Sequence, residues 1–399
     1  MAATPARGAD RRRLAQRALF AAVLASFLTL GLGALKPEEL DFICFWNGAR
    51  FVQQGLDPYD EAIWSPAVAA LYEAPPGAVK TPPCPGRYAY PLWTAMAMVP
   101  FAWLPLVPAS VAWMLMLLAG IGAGIVSLAR AAGFAREDAL LFATVVLSSQ
   151  PVWLTVRSSQ FGGLELAALG LLMLPTTAVR PVRFTIAAFV LLLKPHVTPL
   201  VLIERLQAAS VRSRIAAVAA GAMIVSGSLV VRPSWPADWL GEVAGHRMVM
   251  AGSSATPWGF VRWATGRTDV AVAVVVIALV VFVVALRRAE LRGALDRVSV
   301  ALVGWLLVVP YLSSADPVLL AIPWCAILRR AVGPPRSTAL LRVLVAAATV
   351  LPWALYALKD PVGVDVRNGL VIPATAAVLA FALRRPVPAA AARPSPAAP

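Results

Sequence analysis

Charge is scarce in this sequence. Only 14% of its 399 residues are charged and 60% are hydrophobic, where a soluble domain is about a quarter charged and about half apolar. That excludes an ordinary soluble globular protein. Histidine is nearly missing, with His196 and His246 alone, and the three cysteines form no Cys-x-x-Cys pair. A structural zinc site or a haem site therefore lacks its ligand set. Short strands of alternating apolar and polar residues are absent, which argues against a β-barrel. No glycine-rich phosphate loop is present, so a nucleotide-bound substrate has no obvious cradle. No internal repeat is visible either, which counts against the paired halves of many secondary transporters.

What the chain has instead is long apolar runs, many of them near the roughly 18 residues that mark a membrane helix. The fold class they predict is an all-α polytopic membrane protein. The first run, 14–35, follows a basic N-terminus, 1–13, and reads as a retained transmembrane helix rather than a cleaved signal. Further apolar segments lie near 90–105, 108–129, 139–155, 162–179, 184–204, 214–231, 270–286, 298–312, 317–328, 340–357 and 368–383. The net charge of +15 is concentrated in short connections: Arg205–Arg214, Arg287–Arg297, Arg329–Arg342 and Arg384-Arg385. Such connections mark the cytoplasmic side. Both termini then share that side, and the charge points to anionic lipid rather than to nucleic acid.

This places a single transmembrane domain at 14–383, with a first outer loop at 36–89 and a second at 232–269. The tail, 384–399, is rich in alanine and proline and reads as a disordered cytoplasmic end. A plain count gives twelve crossings but puts Arg130, Arg136, Arg180 and Arg183 outside, against the usual bias. Treating 90–107 and 184–206 as re-entrant pairs, bent near Pro100 to Pro105 and at Lys194-Pro195, gives ten crossings with those arginines inside. The expectation is twelve hydrophobic segments, some short or broken, and about 10–12 transmembrane helices.

The first outer loop stands out. Lys36 to Pro91 carries seven of the twenty acidic residues: Glu38, Glu39, Asp41, Asp57, Asp60, Glu61 and Glu73. Phe42, Phe45, Trp46, Ala49 and Val52 recur at helical spacing, which predicts a short amphipathic helix lying in the membrane interface. Asp41 stands at its start. One reading is a helix cap, which aspartate favours; the other is a general base at the membrane surface, where desolvation raises a carboxylate pKa. Asp57-Pro58-Tyr59 reads as a turn. Cys44 and Cys84 share the loop and are placed to pair if it faces an oxidising compartment.

Polar residues inside apolar segments are costly and therefore informative. Gln160, with Ser158, Ser159 and Glu165, interrupts two segments. Lys194-Pro195-His196 interrupts another, and Ser313 to Pro317, with Asp316, separates two more. Ordinary helix ends and snorkelling cations are the plain alternatives. Tyr90 sits where interfacial aromatics gather. The second outer loop holds Trp235, Trp239, Trp258, Arg262 and Trp263, aromatic faces that suit sugar rings and guanidinium groups that suit phosphate.

Taken in order, these stations resemble glycosyltransferase family 87, membrane enzymes of the GT-C architecture that use polyprenyl-phosphate sugars. The resemblance rests on Asp41-Phe42 with Trp46, Gly55-x-Asp57-Pro58-Tyr59, Tyr90-Pro91, Pro100 and Leu104-Pro105. It continues through Gln160-Phe161-Gly162, Lys194-Pro195, and Pro310-Tyr311 with Asp316. It implies transfer of a hexose, mannose first among candidates, from a polyprenyl-phosphate donor to a lipid-linked or glycan acceptor. The reaction would occur on the outer face of a bacterial inner membrane. Asp41 is the position that matches the family's catalytic base. Lys194, His196, Gln160, Arg262, Asp316 and Tyr90 are the candidate donor-phosphate and substrate residues. No cofactor is expected, and no metal, because Asp41 has no obvious second ligand beside it. There are departures. Ser159 stands where a glycine often precedes the family's glutamine, Ala315 precedes Asp316 in place of tyrosine, and Ser313 and Ser314 replace a histidine. The residues alone also admit a transporter or lipid flippase, or a non-catalytic subunit of an envelope-polysaccharide assembly.

Overall fold

The structure, a computed structural model, describes residues 5–32, 41–71, 84, 87–175, 180–250, 254–333, 336–358 and 366–385. The proline-rich stretch 75–85 of the first outer loop lies outside these apart from Cys84, as does the tail beyond 385. Among the described residues the chain is helical with no strand. Among the described residues five helices are long and apolar enough to cross a membrane: α5 (Leu106–Ala132), α11 (Val211–Val231), α14 (Thr268–Leu286), α17 (Thr338–Ala357) and the stretch Val366–Leu383, which holds α18 (Val371–Leu383). A sixth span forms if α6 (Arg136–Leu147) and α7 (Gln150–Arg157) are counted together, although they bend by 60° at Ser148-Ser149. The chain is a polytopic all-α membrane protein.

Span-length helices are fewer than the apolar segments, because polar and proline residues break several of them. Segment 90–105 holds only α4 (Leu92–Ala102), about 16 Å long at ~1.5 Å per residue. Segment 184–204 is two helices, α9 (Pro181–Leu192) and α10 (Pro199–Ala208), about 18 and 15 Å long, each short of a hydrocarbon core of about 30 Å. They meet at Lys194-Pro195, where the proline cannot continue the ladder. The hydrophobic segments are short or broken at these two places, as expected, and the plain count of twelve crossings does not follow from helices of this length.

Two glycine pairs set the relation between α5 and α8 (Gly162–Met173). A Cβ on Gly120 would lie 2.8 Å from the carbonyl oxygen of Gly163, and one on Gly170 would lie 2.9 Å from that of Gly124. Only hydrogen fits at such a seam, the small-residue packing that lets membrane helices touch backbone to backbone. The pairing order makes the two helices parallel. Both run from the end where Trp113 Nε1 donates to the Ser159 carbonyl at 2.8 Å toward the end bearing Arg130. That arginine shares its end with the N-terminal arginines, since Arg13 pairs with Glu137 of α6 at 2.7 Å. Arg205 of α10 donates to the Leu172 carbonyl of α8 at 3.2 Å, and Arg297 of α15 (Ala294–Val308) to Glu204 at 2.8 Å.

The opposite end is built from α2 (Phe42–Gln54), α3 (Glu61–Leu71) and α12 (Trp235–Met250). Arg232 pairs with Asp57 at 2.5 Å, and Trp239 Nε1 donates to the Ala89 carbonyl at 3.2 Å. The Trp93 and Trp235 rings meet edge to face at 5.0 Å. Residues of 41–89 and of 232–239 therefore pack against one another. Cys44 and Cys84 are joined by a disulfide with their Cα atoms 6.1 Å apart. Asp57 makes the expected turn, accepting from the Tyr59 N–H at 2.9 Å.

The helix expected to bury its aromatics among membrane headgroups buries them in protein instead. Along α2, Phe42, Ile43, Cys44, Phe45, Trp46, Asn47, Gly48, Ala49 and Phe51 are all buried. The cause is packing on both sides. Phe42 stacks on Trp113 at 5.9 Å, while Gly48 on the other face admits the Tyr88 ring, which a Cβ would meet at 2.7 Å.

Candidate active site

Asp41 occupies the N-cap position of α2, and its side chain caps nothing. Its carbonyl closes the first turn, accepting from the Cys44 N–H at 3.0 Å. Its carboxylate turns away and accepts a short hydrogen bond from Gln160 Nε2. Gln160 is buried in the break between α7 and α8, and its Oε1 accepts from the Tyr90 hydroxyl at 3.4 Å. One amide thus orients two candidate residues. Tyr90 is fixed from behind by the Tyr59 hydroxyl, which donates to the Tyr90 carbonyl at 2.7 Å.

An aromatic wall sets this geometry. Phe45 touches Phe161 at 4.4 Å and Tyr90 at 5.0 Å, and Trp113 meets Phe161 edge to face at 5.1 Å. Because Phe45 is on α2 and Phe161 follows Gln160, the same cluster that buries α2 brings Asp41 to Gln160. Ser159 adds a local constraint. Its φ is +54°, a left-handed conformation that favours glycine, and its buried hydroxyl has no partner among the described residues. The glycine expected by resemblance at this position has its physical reason here.

Lys194, at the tip between α9 and α10, forms a short ion pair with Asp316 and donates to Ser313 Oγ at 3.4 Å. Lys194 is 2% exposed and Asp316 fully buried. Asp316 is itself held, accepting from the Ser313 N–H at 2.8 Å. Thr155 of α7 donates to the Ala315 carbonyl at 3.0 Å, which ties this turn to the helix leading into Gln160. Glu165 is fully buried on α8 with neither carboxylate oxygen hydrogen-bonded, and Lys194 and Asp316 are its charged neighbours.

Burial pushes the Asp41 carboxyl above its usual range; the Gln160 hydrogen bond and the Lys194 charge pull it back, and Asp316 pushes it further up. Asp41, Tyr90, Gln160, Lys194 and Asp316 therefore form one cluster. Gln160, Lys194 and Asp316 are its buried floor, and half-buried Asp41, Tyr90, Tyr311 and Ser313 are its rim. His196 is at the edge, its ring 6.0 Å from that of Tyr311 and its carbonyl accepting from Trp305 Nε1 at 2.7 Å. Arg262, on α13 (Pro257–Thr265), is joined to none of these by a hydrogen bond or ion pair among the described residues. Tyr311 and Ser313 join the cluster as well; both stand in the motifs beside Pro310 and Asp316 but are not among the candidate site residues read from the sequence. Among the described residues no three His, Cys, Asp or Glu side chains cluster as a metal would require.

The sequence profile of glycosyltransferase family 87 matches residues 88–310, more than half of the chain. The chain belongs to glycosyltransferase family 87. Comparison with curated proteins and with solved structures gives no match. The matched part of this family-87 chain holds Tyr90, Gln160, Lys194, His196 and Arg262. Asp41 and Asp316 lie outside it and join the cluster through the fold, by the Gln160 bond and the Lys194 ion pair. Membership makes the chain a membrane glycosyltransferase, with a sugar donor and an acceptor as its substrates.

Proposed function

We propose that this glycosyltransferase moves a hexose, with mannose first among candidates, from a polyprenyl-phosphate donor to a hydroxyl of a lipid-linked or glycan acceptor. Asp41 takes the proton of that hydroxyl. The freed oxygen attacks the anomeric carbon, the bond from that carbon to the phosphate oxygen breaks, and polyprenyl phosphate leaves with the electron pair. Lys194 stabilises the leaving charge. Its ammonium has three N–H groups, and Asp316 and Ser313 engage two directions, which leaves the third for a phosphate oxygen. His196 and Arg262 are further contacts as the donor docks.

The observation that carries this reading is the Asp41 carboxylate, withdrawn from its own helix and aimed by Gln160 into a cluster that also holds a buried cation. A desolvated carboxylate with a raised pKa is a competent proton acceptor near neutral pH. The same reading places the Asp41 end of the bundle outside a bacterial inner membrane and both termini in the cytoplasm, with 14–383 as one domain. The test is incubation of purified protein with a panel of polyprenyl-phosphate sugars and an acceptor extract, following release of polyprenyl phosphate. Release with one sugar, lost in Asp41→Asn, supports the reading. No release with any donor, together with movement of a lipid across vesicles, favours the transporter instead.

A further inference from the structure

A cavity lies along the same helix bundle, to one side of the active site. It has a volume of about 450 Å³, is partly open at the bundle surface, and lies between α1 (Pro5–Leu32), α5 and α6. Its walls are apolar: Phe20 and Phe27 from α1, Leu118 and Ile125 from α5, and Leu147 from α6. Two charged residues also line it, Arg130 at the end of α5 and Arg136 at the start of α6. Both are exposed, and neither pairs with a carboxylate among the described residues, whereas their neighbours Arg13 and Glu137 pair with each other.

The dimensions are those of one membrane leaflet. From Leu118 to Arg130 is twelve residues of helix, about 18 Å, against roughly 15 Å for half of a hydrocarbon core of about 30 Å. An apolar slot of this depth, closed at its polar end by two guanidinium groups with no carboxylate partner among the described residues, matches an acyl chain attached to an anionic headgroup. Guanidinium forks bind phosphate oxygens with directional, charge-assisted hydrogen bonds. Trp113, at the active-site level, is five residues from Leu118 along α5, about 8 Å, and seventeen from Arg130, about 26 Å, so the arginine end of the cavity lies away from the candidate donor residues.

We infer that this cavity binds one anionic phospholipid from the leaflet at the arginine-bearing end, with an acyl chain against α1, α5 and α6 and the phosphate between Arg130 and Arg136. Its neighbours give the lipid a role in holding the bundle together. α1 packs on α6 and α7, and α7 leads directly into Gln160.

The test uses the full chain in detergent and native mass spectrometry after incubation with phosphatidylglycerol or phosphatidylcholine. The wild type should retain one phosphatidylglycerol and little phosphatidylcholine. Arg130→Gln/Arg136→Gln should bind phosphatidylglycerol roughly tenfold or more weakly, the usual scale for losing charged hydrogen bonds. Gly122→Leu is the second variant. Gly122 lines the cavity, and a Cβ there meets nothing within 4 Å, so a leucine should fill the slot without disturbing α5. It too should lose the lipid while both arginines remain. Equal retention of the two phospholipids by the wild type, or undiminished phosphatidylglycerol on both variants, overturns the inference. The readout is lipid retention, so the result stands whatever sugar the enzyme transfers.

Discussion

The Gln160 amide reaches across 119 residues of sequence to hold the Asp41 carboxylate, where a capping aspartate would have bonded to its own helix. That displacement separates two roles which the position alone left entangled. A capping carboxylate would be replaceable by asparagine at little cost; one held by a distant segment in a polar cluster is free to act on a substrate.

Asp41→Asn should therefore express and fold normally, since the side chain stabilises no helix end, and should transfer sugar at least about a hundredfold more slowly, the scale for removal of a general base. Asp57→Asn is the matched control from the same segment. It keeps an oxygen for the Tyr59 N–H, loses the charge facing Arg232, and should cost stability at the Asp41 end of the bundle more than rate. Comparable rates in wild type and Asp41→Asn would remove Asp41 as the base.

Gln160→Leu tests the orienting bond. Gln160 is among the influences that pull the Asp41 pKa down against burial, so its loss should raise that pKa further. The base is active when ionised. The acid limb of the pH–rate profile should consequently lie above the ordinary aspartate range in the wild type and move to still higher pH in Gln160→Leu. A rate loss with an unmoved acid limb would make Gln160 a packing residue only.

Lys194→Met should do two things at once. It leaves Asp316 buried without its cation, at a cost of about 3–5 kcal/mol, and it removes charge from the leaving phosphate. The double variant Lys194→Met/Asp316→Leu separates them, because an apolar pair is often as stable as the ion pair it replaces. The double variant should recover thermal stability in detergent yet remain deficient in transfer. Recovery of both stability and transfer would reduce the ion pair to a structural strut.

Ser159→Gly should stabilise the protein by about 1 kcal/mol. It relieves a left-handed conformation that costs a non-glycine residue about 1–2 kcal/mol and deletes a buried hydroxyl without a partner among the described residues, offset by the greater freedom of glycine in the unfolded chain. Trp113 bonds to the carbonyl, which the substitution keeps. A lower melting temperature would show that the serine side chain contributes something its surroundings do not reveal.

Composition and hydropathy alone determined that this chain is a helical membrane protein, because a bilayer tolerates no backbone that leaves its polar groups unsatisfied. The polar interruptions were equally legible. Gln160, Lys194 and Asp316 stand out because burying them among apolar residues is costly unless they find partners, and each of them has one. Tertiary structure decided which partners. Local spacing made 42–54 a helix but could not say that both its faces would be covered, since the covering rings, Trp113 and Tyr88, come from other segments. Nor could it say whether the Asp41 carboxylate would turn to its own backbone or to Gln160, as both offer donors of similar strength. The break at Lys194-Pro195 was legible as one of two alternatives, but the choice between them and the glycine seam between α5 and α8 were beyond the reach of a hydropathy count. Such a count measures apolar length, whereas the depth to which each helix penetrates is set by what it packs against.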